Sequence, residues 1–216
     1  MKKPSWKVMS AGLILTILIS NVSIFISDGL RLEKLRGSVL RLHILANSDS
    51  EKDQQLKLMV RDELLVSGIF NAASDIGEAE RIAEGKMPEI VRTAESVLRR
   101  YGCTDRVSAE LENVDFDERV YGDITMPAGR YRALRIKIGE ACGHNWWCVM
   151  YPPLCLPAAC EKTDEKEKSE SEDNSVAEDK DAEQESFDEK ELDILKKPKK
   201  YRVKFAVWDK IKSIFD

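Results

Sequence analysis

The chain has 216 residues, 34 of them basic and 39 acidic, for a net charge of −5, with five cysteines and two histidines. Its length allows one domain with a modest core, and its overall charge offers no broad basic surface for nucleic acid. The negative charge is local: Glu161 to Asp193 holds 16 acidic and 5 basic residues, so the rest of the chain sums to +6.

At the N-terminus, Lys2, Lys3 and Lys7 precede an uncharged apolar run from Val8 to Ser27. As a helix that run spans roughly 30 Å, a bilayer's hydrocarbon thickness, and it exceeds the ~7–15 apolar residues of an ordinary signal peptide. The lysines stay in the cytoplasm, which places the bulk of the chain outside. Ser27 and Gly29 are small residues two apart, as at a cleavage site, but Asp28 lies between them and the run is long. An uncleaved anchor is therefore favoured over a cleaved signal. Residues 1–29 are read as export signal or membrane anchor, and 30–160 as one small extracytoplasmic domain of α+β class.

Within that domain, Leu40, Leu42, Ile44 and Ala46 alternate with Arg41, His43 and Leu45, which predicts a strand with His43 on the less apolar face. Ser48 and Glu51 have capping-box spacing, and Leu56, Met59, Val60 and Leu64 form a helical stripe behind them. A second helical region begins near Ser74 and breaks around Gly85, where Pro88 opens a new helix buried through Ile90, Val91, Ala94, Val97 and Leu98. Strand signals return at Val107, Ala109 and Leu111. After a turn over residues 124–129, Arg130 to Gly139 is the strongest strand; its inward set slips from Tyr131 and Ala133 to Leu134, Ile136 and Ile138, which predicts a bulge near Ala133. Its other face carries Arg132, Arg135 and Lys137.

The segment GHNWWCVMYPPLC, Gly143 to Cys155, combines a tryptophan pair with two close cysteines. In an oxidising compartment Cys148 and Cys155 read as a disulfide, worth about 2.5 kcal/mol by loop closure, with Pro152 and Pro153 favouring the bend. The resulting knuckle displays Trp146, Trp147 and Tyr151; alternatively the tryptophans plug the core, where at most one of two neighbours on a strand faces inward. Cys103, Cys142 and Cys160 leave at least one thiol unpaired. Residues 161–195 read as an acidic, disordered linker. In the basic segment 196–216, Tyr201, Val203 and Phe205 alternate as an edge strand before Trp208, Ile211 and Phe215 change to helical spacing.

Motifs that carry chemistry are absent: there is no glycine-rich phosphate loop, HExxH, GxSxG or CxxC. His43 or His144 with Cys148 or Cys155 would make a nucleophilic pair only without the disulfide and with their segments in contact. Neither the histidine nor the cysteine spacing is that of a zinc site, so no metal or cofactor is expected. The bland reading of His43 is a hydrogen-bonding strand residue. The oxygens and amides of Ala46-Asn47-Ser48-Asp49-Ser50 converge at a helix N-terminus, where they either bind a partner or simply cap and turn the chain.

Two longer blocks carry a resemblance: RLHILANSDSEKDQQLKLMVRDELL, from Arg41 to Leu65, and GRYRALRIKIGEACGHNWWCVMYPPLC, from Gly129 to Cys155. They resemble the signature blocks of the stage II sporulation protein R family. The resemblance implies a non-enzymatic signal of endospore formation, made in the forespore and exported into the space between forespore and mother-cell membranes. There it switches on a membrane-embedded aspartic protease that processes the precursor of the mother-cell sigma-E factor. It supplies no catalytic residues, so the partner-binding candidates come from this sequence: Trp146, Trp147, Tyr151, Arg132, Arg135, Lys137, His43, Asn47 and Asp49. The competing expectations are an envelope cysteine hydrolase and a binding domain for cell wall or small ligands.

Overall fold

A computed structural model describes residues 6–69, 73–121, 123–152 and 187–215 of the chain, which is α+β. Helix α1 (Trp6–Gly37) changes character along its 32 residues. Its first part exposes Leu13, Ile14, Leu15, Ile17 and Leu18 by more than half, whereas Leu32 and Leu35 near its end are fully buried. From Met9 onward it is long and apolar enough to cross a membrane, with a mean hydropathy of 2.1. The boundary expected at residue 29 thus falls inside one unbroken helix, because Leu32, Leu35 and Arg36 recur at helical spacing and dock its last turns on the domain.

The core is a four-stranded sheet of order β2-β5-β1-β6, formed by β1 (Leu40–Leu45), β2 (Val107–Phe116), β5 (Gly129–Ile138) and β6 (Asn145–Tyr151). The central pair β1–β5 is parallel and both outer pairings are antiparallel. All six residues of β1 are buried, as a strand covered on both faces requires. Between β1 and β2 the chain makes α2 (Glu51–Val66), α3 (Ile76–Gly85) and α4 (Met87–Arg100). Arg61 of α2 lies 4.2 Å from the Trp146 ring centre, which fixes the face of the sheet that these helices cover. A small hairpin of β3 (Arg119–Tyr121) and β4 (Ile124–Met126) stands on the opposite face, where Arg41 Nη2 donates to the Tyr121 hydroxyl at 2.7 Å.

Several expectations change. The helix break at Gly85 is present, with Pro88 in the first turn of α4, but α2 is capped by Ser50, whose side chain accepts from Asp53 N, rather than by Ser48. The bulge near Ala133 is absent, since β5 stays in register with β2 from Ile138 to Gly129. What changes along β5 is the covering layer: Tyr131 and Ala133 are buried toward the hairpin, and Leu134, Ile136 and Ile138 toward the helices. The register shift lies instead between Leu40 and Arg41, opposite β6. The basic face is likewise divided. Arg132 points to the helical side, 3.8 Å from Glu80 and Glu84 of α3, while Arg135 and Lys137 point to the hairpin side and pair with Glu112 and Glu110.

Among the described residues, the C-terminal segment forms two helices. Within the stretch expected as linker, Glu189–Lys196 forms α5, opened by an Asp188–Glu191 capping box and held to α1 by Lys34, 2.8 Å from Asp188 and 3.1 Å from Glu191. The remainder of that linker, residues 161–186, lies outside the described residues. Helix α6 (Pro198–Phe215) replaces the expected edge strand. Tyr201 and Phe205 are buried while Val203 is 74% exposed, so the three alternating residues occupy opposite sides of a helix, and Pro198 suits its first turn. Trp208 meets Phe25 at 5.9 Å between ring centres, Lys204 binds Asp28 at 2.8 Å, and Arg36 binds Asp209 at 2.7 Å.

Candidate functional site

The two blocks that carry the resemblance meet at one edge of the molecule, because parallel pairing of β1 and β5 brings together the loops that follow these strands. Asn47 spans the gap: its Oδ1 accepts from Glu140 N at 2.9 Å and its Nδ2 donates to Asp53 at 3.0 Å. Gly143 N donates to Ala46 O at 3.0 Å, and Cys142 N to Asn47 O at 3.2 Å. Asp49 receives the His144 backbone N–H at 2.6 Å, with the ring Nδ1 2.5 Å from the same oxygen. These donors hold Asp49 below the usual carboxylate range, and the Ser48 hydroxyl, followed by the Asn47 amide, does the same for Asp53. Lys57 closes the arrangement by donating to His144 O at 3.0 Å. Gly143 is required at its position because a Cβ there would overlap the Ser48 carbonyl.

The expected convergence at the α2 N-terminus is therefore real, but its polar groups chiefly bind one another. Asn47→Ala should cost about 1–2 kcal/mol, since it takes the side-chain acceptor from the Glu140 N–H and leaves the Asp53 oxygen with the Ser48 hydroxyl alone. Urea unfolding followed by tryptophan fluorescence measures this; an unchanged midpoint would reject the clasp.

The aromatic candidates lie in an edge strand, and the knuckle expected to follow it through Pro153 to Cys155 lies outside the described residues. Trp146 and Trp147 take opposite faces of β6 and both are partly buried. Trp146 packs under Arg61, whereas Trp147 stacks on His43 with ring centres 3.9 Å apart and planes 9° apart. Phe116 meets Trp147 edge-on at 4.6 Å and Tyr131 at 5.7 Å. Tyr151 ends the strand half-buried; burial raises its pKa, with Asp75 and Glu78 acting in the same direction. Beneath this face lies Arg41, fully buried, its guanidinium 4.0 Å from the Phe116 ring centre and 5.0 Å from that of Tyr131. The sequence reading missed this group, although an arginine within an otherwise apolar strand is a signal for it.

His43 is only 2% exposed. Burial pushes its pKa down to about 4, Arg135 adds to that effect and the nearby Asn145 side chain opposes it. Its ring makes no well-formed hydrogen bond among the described residues, so stacking replaces the hydrogen-bonding role expected of it. Cys148 is fully buried on the helical face opposite Leu42, and is a free thiol among the described residues. Its expected partner Cys155 lies outside them, as does Cys160. His43 is on the opposite face of the sheet from Cys148, which does not bring these two together as a nucleophilic pair. Among the described residues, no group of three His, Cys, Asp or Glu side chains is placed to hold a metal.

On the face of Trp147 and His43, Arg135 and Lys137 remain partly open to solvent; Asn47, Asp49 and His144 border the adjoining edge. Trp146 and Arg132 belong to the other side.

The family model described as Stage II sporulation protein R matches residues 36–161, from the last turns of α1 past the end of β6. A protein of Bacillus subtilis (strain 168) named Stage II sporulation protein R is 34% identical over 183 residues, covering 82% of this chain and 81% of its own length. No solved structure matches. The matched segment and the extent of the identity make this chain a member of the stage II sporulation protein R family.

Proposed function

We propose that the protein is an exported signal of sporulation, held in or released from the forespore membrane and facing the space toward the mother cell. There it activates a membrane-embedded aspartic protease that processes the sigma-E factor precursor. The observation that carries this reading is an exposed apolar helix of membrane-spanning length running unbroken into a domain of a sporulation family. Activation requires no chemistry by this chain. A domain that binds the active arrangement of the protease better than the inactive one shifts that equilibrium by the difference in affinity.

The contact surface is the sheet face bearing Trp147, Arg135 and Lys137, with Trp147 as the aromatic anchor and the two cations as orienting charges. Trp146, Tyr151 and Arg132 support the strand from other directions.

The decisive experiment follows precursor cleavage in cells carrying the protease, with this chain expressed intact or without residues 1–29. Cleavage only with the intact form is expected; cleavage that ignores the chain altogether would sink the assignment. Within the intact form, Lys137→Glu should reduce processing about tenfold with the fold preserved, whereas Arg132→Glu should stay near wild type. Equal effects of the two reversals would move the interface off this face.

A further inference from the structure

Helix α6 has two apolar sides. One carries Tyr201, Phe205 and Trp208 and packs inward, in accord with the burial of the first two. The other carries Val203, Val207, Ile211 and Ile214, which are 74%, 46%, 41% and 72% exposed and line a shallow groove with Ala206, Arg202 and Lys210. A helix with one apolar stripe in the core has no structural need for a second one in water.

Two observations indicate what covers it. Trp208, next to Val207, packs on Phe25 and so closely on Gly29 that a Cβ there would overlap the indole. Phe25 belongs to the apolar run, so α6 docks where the span ends, the level at which tryptophan favours a bilayer interface. The polar residues beside the stripe are basic: Lys199 and Lys210 make no ion pair among the described residues, whereas Lys200, Lys204 and Lys212 pair with Asp193, Asp28 and Glu33. An apolar stripe bordered by lysines is the pattern of a helix lying in the headgroup region of an anionic membrane.

We infer that α6 is an interfacial helix whose Val203–Val207–Ile211–Ile214 stripe rests among lipid acyl chains beside the membrane span, with Lys199 and Lys210 reaching headgroup phosphates. The inference rests on α1 as the membrane segment but not on protease activation.

To test it, the full chain is reconstituted in phosphatidylglycerol–phosphatidylethanolamine vesicles with an environment-sensitive fluorescent amino acid at position 15, 66 or 207, one per variant. Val66 is 82% exposed on α2 and serves as the water reference, and Leu15 serves as the span reference. With bromine on the acyl chains, emission from positions 15 and 207 should fall roughly twofold while position 66 is unaffected. Position 207 behaving like position 66 would overturn the inference. So would shielding of position 207 from aqueous iodide without bromine quenching, which would mean that protein, such as a second copy of the chain, covers the stripe. An unquenched position 15 would overturn the span and the inference together, whereas quenching at 15 but not at 207 would reject the interfacial helix alone.

Discussion

Arg41→Ala is expected to destabilise the domain by about 3–5 kcal/mol, more than any other single truncation considered. The side chain is fully buried between Phe116, Tyr131 and Tyr121, so removing it leaves a void walled by large rings that cannot collapse without moving the hairpin. The cation–π contacts and the hydrogen bond to Tyr121 are lost as well. Burying the charge also carries a cost, because Nε and Nη1 make no hydrogen bond among the described residues. Arg41→Met, which keeps most of the stem without the charge, should therefore lie within about 1.5 kcal/mol of wild type. Urea unfolding followed by tryptophan fluorescence distinguishes volume from charge. An alanine variant within 1 kcal/mol of wild type would reject the packing argument, and a methionine variant as weak as alanine would assign the stability to the cation.

Acidification should weaken the fold by about 3 kcal/mol between pH 6.5 and 4, through His43. The folded protein keeps this ring neutral until about pH 4, whereas the unfolded chain protonates it near 6.5. Within that window the unfolded state binds the proton that the folded state refuses, so added protons favour unfolding. The contribution is fully present above the unfolded pKa and is lost as pH falls toward the folded one. His43→Phe preserves a ring on Trp147 and should flatten this part of the pH–stability curve. Asp49, Asp53 and Glu112, all held below the usual carboxylate range, add their own loss at still lower pH. A variant whose unfolding midpoint still falls as steeply between pH 6.5 and 4 would show that another group titrates there.

Local patterns in the sequence were enough to place β1, α2, the break between α3 and α4, and β5, because each carries its own periodicity. The division of Trp146 and Trp147 between two faces was also legible, as strand parity demands it. Less accessible was anything that depends on which layer covers a strand. The slip from Ala133 to Leu134 reads as a bulge when one face is taken as the core, and as a change of covering layer once helices lie on one side and a hairpin on the other. Arg41 and His43 looked like members of a less apolar face because no local signal reveals the hairpin that closes over part of it. The clasp between Asn47 and Glu140 depends on parallel pairing of strands far apart in sequence. At the C-terminus, Tyr201 and Phe205 satisfy both periods while Val203 fits only the strand, and the inward turn of Trp208 decides for a helix.

The continuity of α1 sets a mechanical condition on any signal the domain delivers. With no loop between apolar run and core, a domain that keeps this helix in the membrane is a rigid lever on it: tilting the helix tilts the sheet, and rotating it swings Trp147 around the membrane normal. Ten residues of helix separate Ser27 from Gly37, roughly 15 Å, so the domain's centre has a fixed stand-off from the lipid rather than a tether's range of heights. A glycine-serine insert after Leu30 would convert the lever into a leash once α6 lets go of Phe25 and Asp28, leaving the sheet face intact while removing its height and heading.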